Sequence, residues 1–301
     1  MEYIKVTQAA EKWGISTRRV RALCEEGKIP GVIRKGSLYM IPENAAKPLD
    51  GRKTRAGFLG EIEAKRERLS KMRPLTPGEV KLLQEEFTVE FTYNSNAIEG
   101  NTLTLKETAM VLEGLTVGQK PLKDHLEAVG HRDAFMYIED IASREYPLSE
   151  SVIKSIHALV LMDRPEDKGV FRRIPVRIMG AYTQPVQPYM IEPKISELLT
   201  VNEERRESMN PIERIARFHL EFEGIHPFID GNGRTGRLIM NLELIRAGFP
   251  PINVKFTDRK KYYDAFDAYY RQGDAGAMTD LIAGYVSERL DEYLSILAAV
   301  E

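Results

Sequence analysis

A stretch of twelve residues carries side chains of the types and spacing that a phosphate-binding catalytic site needs. It reads His226-Pro227-Phe228-Ile229-Asp230-Gly231-Asn232-Gly233-Arg234-Thr235-Gly236-Arg237, and apolar residues at helical spacing follow it over 238–245. The two glycines around Asn232 let the backbone approach a ligand closely. A helix N-terminus directs free N–H groups and a positive dipole at an anion. The stretch therefore predicts a phosphate-binding loop that leads into a helix.

The charged side chains of this motif predict a cation site and a base. Arg234 and Arg237 are three residues apart, so they share one face of the first helical turn and can bind phosphates as fixed cations. Asp230 would repel phosphates unless a divalent cation lay between them, which predicts bound Mg²⁺. His226 is the candidate base, because histidine is the residue type in the motif whose unperturbed pKa suits proton removal near neutral pH. Together they predict a magnesium–nucleotide site with a general base at its edge.

Other phosphate and metal sites do not fit the sequence. A P-loop is excluded because the chain has no G-x-x-x-x-G-K-S/T stretch, and a Rossmann site is excluded because no strand pattern leads into the glycines. The five histidines, at positions 125, 131, 157, 219 and 226, form no zinc-ligand pair of the H-E-x-x-H kind. We expect the first four of them to be packed structure.

The motif resembles the signature of the Fic family (filamentation induced by cAMP), H-P-F-x-D/E-G-N-G-R-x-x-R, and residues 226–237 match every fixed position. The resemblance extends over about residues 60–290. It implies a helical Fic fold that transfers AMP from ATP, with Mg²⁺, to a hydroxyl of a target protein or of the chain itself. The target's identity does not follow from the sequence, and a homodimer is expected by analogy with relatives.

The resemblance implies a role for each residue of the motif. His226 would deprotonate the target hydroxyl, which attacks the α-phosphate while pyrophosphate leaves, and Asp230 would hold magnesium. The backbone around Gly231 and Gly233, with Asn232, would stabilise charge on the inner phosphates. Two further roles are implied: Arg234 and Arg237 would bind the outer phosphates, and Phe228 would anchor the loop in the core.

Two segments outside the motif are also expected at the nucleotide. Residues 169–185 read as a short hairpin that resembles the family's flap, whose Met179 and Gly180 would border the nucleotide and hold the target by strand addition. Tyr262 and Tyr263 would lie near adenine or ribose. Aromatic residues at 262, 263, 266, 269 and 270 also form a helical stripe, for which core packing is the alternative interpretation.

An upstream motif predicts inhibition. Glu99 falls at the C-terminal end of a predicted helix, where the dipole disfavours a carboxylate, so a cation should compensate it. Ser95-x-x-x-Glu99-Gly100 resembles the inhibitory motif S/T-x-x-x-E-G/N of Fic proteins whose inhibitory helix precedes the core. The resemblance implies that Glu99 pairs with Arg237 and withdraws it from the γ-phosphate. In some relatives this glutamate orients water to remove AMP, so the reverse reaction is a further possibility.

Two alternative functions stay open. A Fic enzyme can transfer another phosphate-containing group, although Gly233 argues against the phosphorylating kind, in which lysine tends to occupy that position. The other alternative is a DNA-binding regulator whose Fic body only senses nucleotide.

The elements that must position these residues are mostly helices. Apolar residues recur at helical spacing in ten segments of the body: 62–72, 77–98, 105–117, 122–143, 149–162, 191–207, 211–224, 234–247, 259–271 and 275–297. We therefore expect a mainly α fold with a Fic body over 61–301, an inhibitory helix ending near 99 and the flap hairpin.

The first residues form a different unit. Residues 1–48 predict two helices joined by a turn and followed by a hairpin, which resembles the winged helix-turn-helix of the MerR and excisionase families. Arg18, Arg19 and Arg21 at the start of the second helix, with Arg34 and Lys35 in the wing, are the candidate DNA contacts. A small helical cap that binds protein is the alternative. Residues 49–60 have the Pro, Gly and charged character of a linker.

Composition excludes several classes of protein. The 301 residues include one cysteine, Cys24, which excludes an internal disulfide, and no stretch approaches the roughly 20 apolar residues that cross a bilayer. We expect a cytoplasmic protein. The net charge of -2 hides a split, because residues 1–80 hold 17 Lys and Arg against 10 Asp and Glu, or +7, which leaves -9 for the rest. A basic N-terminal unit on an acidic body fits the predicted DNA contact.

Overall fold

The chain divides into two units, Met1–Phe58 and Leu59–Glu301, in the computed structural model. The structure describes residues 3–36, 38–43, 45, 47–48, 51–144, 146–178, 180 and 182–298, with the backbone alone for 51–54. Among these residues it is mainly helical with one three-stranded sheet.

The N-terminal unit packs two helices on a small antiparallel sheet. Its elements are β1 (Tyr3–Lys5), α1 (Val6–Trp13), α2 (Thr17–Glu25), β2 (Ile33–Lys35) and β3 (Leu38–Pro42), and the strand order is β1-β3-β2. Trp13, Val20, Leu23 and Ile41 form the buried core, together with Cys24, whose pKa is raised by burial. The two helices and the hairpin lie where the sequence predicts them. Strand β1 was not predicted, because three residues are too few to show a period.

The second unit is a bundle of helices joined by short loops except at residues 161–190, where the connection is long. Its helices are the part of α3 (Gly51–Ser70) from Leu59 onward, α4 (Pro77–Ile98), α5 (Leu105–Leu112), α6 (Leu122–Ser143), α7 (Glu150–Val160), α8 (Ile191–Glu204), α9 (Pro211–Ile225), α10 (Asn232–Arg246), α11 (Arg259–Gln272) and α12 (Gly276–Ala298). Single 3-10 turns precede α8 and α11, at Pro188–Met190 and Phe256–Asp258. All ten predicted helical segments are helices, with ends that differ by at most five residues except at the start of α3, which begins eleven residues before the predicted 62.

Helix α10 lies at the centre of this bundle and carries the end of the motif. It packs against α9, α6 and α7, and nearly all of its residues from Asn232 to Leu244 are buried. Phe91, Phe135, Phe222 and Phe228 belong to the apolar cluster around it. The end of the motif is therefore held in the buried core of the fold.

The structure corrects one expectation about a connecting segment and leaves another a prediction. Residues 49–60, the predicted linker, are helical from Gly51, where α3 begins, and the boundary between the two units falls among them. Residues 169–185 were predicted to be a hairpin, but the described residues of this segment contain no strand. They follow an irregular path that is fixed by side-chain bonds. Within the described residues, no helix is long and apolar enough to cross a bilayer, and the cytoplasmic location stays a prediction.

Candidate active site

The motif loop joins α9 to α10 through two left-handed residues. His226 caps α9 at φ 51°, and Gly231 precedes α10 at φ 74°. The Asn232 side chain closes the loop, because its Nδ2 donates to Phe228 O at 2.9 Å and its Oδ1 accepts from Phe228 N–H at 2.9 Å. The Asn232 side chain thus bonds to the Phe228 backbone, and its expected contact with the nucleotide stays a prediction. The Asn232 backbone N–H, in the first turn of α10, is a group that can face a phosphate.

Phe228 anchors this loop as predicted. The ring is fully buried, and it stacks on the His157 ring with centroids 3.6 Å apart and planes 4° apart. The Asn232–Phe228 hydrogen bonds and the buried Phe228 ring therefore hold the backbone N–H groups of this loop in a fixed arrangement.

A cavity of about 350 Å³ opens beside His226, within the range of small-molecule sites. Six of its lining residues matter for the chemistry: Glu99, Gly180, Glu223, Gly233, Arg237 and Tyr263. Burial lowers the pKa of His226 to about 4. The imidazole is therefore neutral near pH 7 and able to accept a proton, as a general base must.

Arg237 is held by the end of α4. Its Nη2 lies 2.8 Å from Glu99 Oε1 and donates to Ser95 O at 2.7 Å, while its Nε donates to Ser95 Oγ at 3.0 Å. The Arg237 side chain is only 1% exposed, whereas that of Glu99 is 33% exposed. The cation that the sequence requires at the end of α4 is therefore Arg237, and Ser95 and Glu99 together bind it.

Gly233 leaves the space that the Glu99 carboxylate fills. A Cβ at position 233 would collide with Glu99 Oε1 and would lie 3.1 Å from Arg237 Nη1. Glu99 thus lies over the first turn of α10, where the free N–H groups favour an anion. A carboxylate and a phosphate would compete for this position.

The structure separates the two motif arginines. Arg234 Nη1 lies 2.9 Å from Glu127 Oε1, and Arg234 Nη2 lies 3.4 Å from Asp230 Oδ1. Its side chain is 2% exposed and does not line the cavity, unlike that of Arg237. The expectation that both arginines reach the same phosphates is therefore corrected for Arg234. Its guanidinium is bound by Glu127 from α6 and lies outside the cavity that Arg237 lines.

Asp230 lies among cations at the edge of the loop. Arg164 Nη2 is 3.1 Å from its Oδ2, and Gly231 N–H donates to Oδ1 at 2.6 Å. Burial opposes ionisation, but Arg234, the Gly231 N–H and Arg164 outweigh it and lower the pKa of Asp230. No group of three or more metal-ligating side chains occurs in the described ranges. One ionised, one-third exposed carboxylate fits Mg²⁺, which protein sites often hold through one or two carboxylates and substrate phosphates.

The two candidate tyrosines have different surroundings. Tyr262 is 2% exposed, and its hydroxyl lies 2.7 Å from His219 Nε2 and 3.4 Å from Arg237 Nη1. Tyr263 is 40% exposed, and both tyrosines line the cavity. Tyr262 therefore supports Arg237 within the cavity wall, and Tyr263 presents the more exposed side chain to a bound ligand. Gly180 also lines the cavity, whereas Met179 lies outside the described residues.

Comparison with known families identifies the part of the chain that carries this site. Residues 147–244 match the model of the Fic/DOC family. The chain contains a Fic domain. The matched residues include α7, α8, α9 and nearly all of α10, and therefore the whole motif.

Curated relatives are similar to the chain over a longer stretch. The chain is 33% identical over 240 residues to Protein adenylyltransferase Fic of Drosophila yakuba, which takes in 78% of this chain and 48% of the relative. It is 31% identical over 221 residues to Protein adenylyltransferase fic-1 of Caenorhabditis briggsae, with 72% and 43% covered. The chain spans about half the length of these curated relatives.

Solved structures support the same fold. A fragment of Fic-1 from C. elegans superposes with a TM-score of 0.75 at 27% identity, over 83% of this chain and 74% of that one. A Fic domain-containing signaling protein from Bacteroides thetaiotaomicron superposes with a TM-score of 0.70 at 28% identity, over 80% and 95%. The predicted helical Fic fold is confirmed.

Sequence reasoning missed two residues that hold the loop of the Fic domain. His157 Nδ1 accepts from Gly169 N–H at 2.9 Å, so its Nε2 carries the proton and donates to Asp230 O at 3.0 Å. Burial lowers the pKa of His157 to about 4, which keeps this tautomer neutral. The sequence did not indicate this role, because His157 occupies an ordinary position on a helix and its partners, Gly169 and Asp230, lie in other segments of the chain.

Arg172 is the second missed residue, and it replaces the expected hairpin pairing. Its side chain donates to His226 O at 2.8 Å, Ile174 O at 3.0 Å, Val186 O at 2.5 Å and Ile225 O at 3.4 Å. Burial lowers its pKa. One guanidinium thus joins residues 172–186 to the motif loop of the Fic domain, and a partner strand is not needed.

Proposed function

We propose that this chain transfers AMP from ATP to a hydroxyl side chain of a protein, itself included, and that Glu99 restrains the reaction. The observation that carries the proposal is the Glu99–Arg237 ion pair at 2.8 Å inside the cavity lined by His226. The Fic domain and the names of the curated relatives support the reaction class.

Neutral His226 acts as the general base. It takes the proton of the target hydroxyl, whose oxygen attacks the α-phosphorus. The new P–O bond forms as the bond to pyrophosphate breaks, so the products are the AMP ester and pyrophosphate. The N–H groups at the start of α10, near Gly231 and Gly233, stabilise the charge that develops on the α-phosphate. Arg237 binds the outer phosphates once it is free of Glu99.

Magnesium is held by Asp230 in this proposal. When bound, Mg²⁺ neutralises charge on the phosphate chain. Arg164 and Arg234 contact the Asp230 carboxylate, so they hold its oxygens in place and keep the group ionised.

Glu99 inhibits by occupying a phosphate's place. The Glu99 carboxylate lies over Gly233 and pairs with Arg237. The outer phosphates of ATP therefore lack the Arg237 cation and meet a like charge. ATP then binds in a pose unsuited to transfer, and basal activity is low. The same carboxylate could orient water for the reverse removal of AMP, a reaction that the same site would catalyse.

The test of the transferred group uses two labels. With the Glu99→Gly variant, protein-bound label from α-labelled but not γ-labelled ATP supports AMP transfer. Label from γ-labelled ATP alone would support phosphorylation instead, and His226→Ala should remove the signal in either case.

We propose DNA binding as a separate role of the N-terminal unit, read as a winged helix-turn-helix. The observation in its favour is that all five predicted cations are exposed, with Arg18, Arg19 and Arg21 on α2 and Arg34 and Lys35 on β2. Arg19 makes only a long ion pair with Glu26, at 3.6 Å. Such cations suit phosphate contacts and base edges.

A gel-shift titration at several salt concentrations tests this role. Binding that weakens with salt and is lost when Arg18, Arg19 and Arg21 become alanine would support it. Lys12→Ala is the matched control, because Lys12 is exposed on α1 and donates to Glu43 O. Equal binding by the triple variant would contradict the proposal. The homodimer stays a prediction, which sedimentation of the full chain would test.

A further inference from the structure

Arg259 is a cation in the cavity that the proposed reaction does not use. It is the first residue of α11, it is exposed, and it lines the same cavity as His226 and Arg237. Arg237 is paired with Glu99. Within the part of the chain that the structure describes, no carboxylate lies at ion-pair distance from the Arg259 guanidinium. The cavity therefore contains one arginine that is paired and one that can take a ligand.

Helix stability does not explain a cation at this position. The positive end of the helix dipole disfavours cations in the first turn, yet α11 begins with Arg259, Lys260 and Lys261. Lys260 Nζ lies 2.7 Å from Asp264 Oδ2. Lys261 Nζ lies 2.8 Å from Asp258 Oδ1, so both lysines are compensated. Arg259 has no such compensation among the described residues, which favours an anion from outside the chain as its partner.

The Arg259 side chain is held on Tyr263, one helical turn later. Its guanidinium carbon lies 5.3 Å from the centroid of the Tyr263 ring, within the range of a cation–π contact. Tyr263 lines the cavity as well. Burial and the charge of Glu99 raise the pKa of Tyr263, and a hydrogen bond with Arg259 and the charges of Arg259 and Arg237 oppose this shift. Both arginines therefore act on the part of the cavity that Glu99 occupies.

The charges on the cavity wall favour an anion with more than one phosphate. Arg237 and Arg259 are the lining arginines, and Glu99 and Asp267 are lining carboxylates. Glu223 also lines the cavity but is neutral near pH 7, because burial raises its pKa to about 8. When Glu99 leaves, the two cations outnumber the remaining carboxylate. A planar guanidinium can bind two phosphate oxygens at once, so two arginines suit a chain of phosphates.

We propose that Arg259 is a second substrate-binding cation, which contacts the outer phosphates of ATP from α11 while Arg237 contacts them from α10. This inference rests on the proposed AMP transfer. As the target oxygen bonds to the α-phosphorus, the bond to the β-phosphate oxygen breaks, and its electron pair stays on the pyrophosphate. Arg259 stabilises the charge that the leaving pyrophosphate gains. AMP has no outer phosphates, so this contact is made with ATP only.

The first test measures nucleotide binding by calorimetry without turnover, in a protein that carries Glu99→Gly and His226→Ala. Arg259→Gln should raise the Kd for Mg-ATP about tenfold, which corresponds to a lost charge-assisted hydrogen bond, and should leave the Kd for AMP unchanged. Arg259→Lys should recover part of the affinity for ATP, because it keeps the charge. Lys260→Gln is the matched control, because Lys260 is the next cation on α11 but does not line the cavity; it should change neither Kd.

Three results of this test would overturn the inference. An unchanged Kd for Mg-ATP in Arg259→Gln would show that Arg259 does not contact the phosphates. An equal rise of the Kd for ATP and for AMP would show that Arg259 acts on the nucleoside part, through Tyr263. An effect of Arg259→Gln that occurs only when Glu99 is present would show that Arg259 is a partner of Glu99 instead.

The second test measures AMP transfer, which separates this inference from the proposed function. In the Glu99→Gly background with His226 intact, Arg259→Gln should lower kcat/KM for ATP about tenfold, and Lys260→Gln should not. AMP transfer with an unchanged kcat/KM in Arg259→Gln would overturn the inference and leave the proposed function intact. ATP binding that responds as expected, without any AMP transfer by Glu99→Gly, would support the phosphate contact and refute the proposed function.

Discussion

Glu99 Oε1 and Arg237 Nη2 are 2.8 Å apart, although 138 residues separate them in sequence. The pair joins the end of α4 to the first turns of α10, at the point where a helix N-terminus favours an anion. Because Arg237 is almost fully buried, loss of Glu99 leaves a charge that needs another anion. The outer phosphates of a nucleotide are the anion that the cavity can admit.

Ser95→Ala should release part of the inhibition. The change removes the bond from Arg237 Nε to Ser95 Oγ but keeps the bond to Ser95 O and the Glu99 pair. A hydrogen bond worth about 1 kcal/mol corresponds to a rate increase of about fivefold. Self-modification with α-labelled ATP measures it. Ser143→Ala is the control, because the Ser143 hydroxyl is exposed and bonds only within its own helix; equal rates for both variants would contradict the role of Ser95.

Arg172→Lys should destabilise the site although it keeps the charge. The planar Arg172 guanidinium donates hydrogen bonds to four carbonyl groups, and a lysine ammonium cannot reproduce them all. Buried carbonyl oxygens would then lack a donor, at a cost of about 2–4 kcal/mol in the free energy of unfolding. Chemical denaturation measures the free energy of unfolding. Arg173→Lys is the matched control, because the adjacent arginine is exposed. A loss no larger than that of the control would refute the tie between residues 172–186 and the motif loop.

Stability should be greatest near pH 6–7. Burial lowers the pKa of His157 and His226 to about 4, that of His219 to about 3 and that of His131 well below its usual value. The unfolded chain binds protons at these groups near pH 6.5, so the free energy of unfolding falls as pH drops toward 4. Glu223, with its pKa raised to about 8, is protonated in the folded state only, so its contribution is lost as pH rises through 8.

Denaturation at pH 5, 6.5 and 8 tests both signs. In the Glu223→Gln variant, the free energy of unfolding should no longer show the decline between pH 6.5 and 8 that Glu223 causes. It should still decline as the pH falls from 6.5 to 5. A parent protein that is most stable at pH 5 would contradict the burial of neutral histidines.

Asp230→Asn should raise the magnesium requirement. In the Glu99→Gly background, we expect the Mg²⁺ concentration for half-maximal AMP transfer to rise about tenfold or more, because a neutral amide is a weaker ligand than a carboxylate. Asp163→Asn, on the loop after α7, is the control variant. An unchanged Mg²⁺ dependence would show that Asp230 serves only to hold Arg164 and Arg234.

The sequence predicted the parts of this molecule that repeat or sit close together in the chain. Helical spacing predicted α4 and α10 within two residues, and capping residues such as Thr76 mark where α4 begins. The Glu99–Arg237 pair followed from the two motifs. A helix that buries an apolar stripe shows that stripe as a repeat in its own sequence, so helices of this kind can be predicted without a structure.

Contacts between distant polar residues could not be predicted in this way. Glu127 binds Arg234, and His157 holds Asp230, yet each lies on a helix whose pattern shows only which face is buried. The expected hairpin failed for a related reason. Pattern and turn residues indicated strands over 169–185, whereas Arg172 holds this segment by bonds to Ile174 O, Val186 O and His226 O.

Incorporation of α-labelled ATP by the Glu99→Gly variant tests the central claim most directly. Glu113→Gly is the matched control, because Glu113 also caps a helix before a glycine, at the end of α5, but does not line the cavity. With magnesium, Glu99→Gly should incorporate at least about tenfold more label than the parent or the control, and His226→Ala in the same background should incorporate none. Equal incorporation by Glu99→Gly and the parent would contradict the claim that Glu99 restrains an AMP transferase.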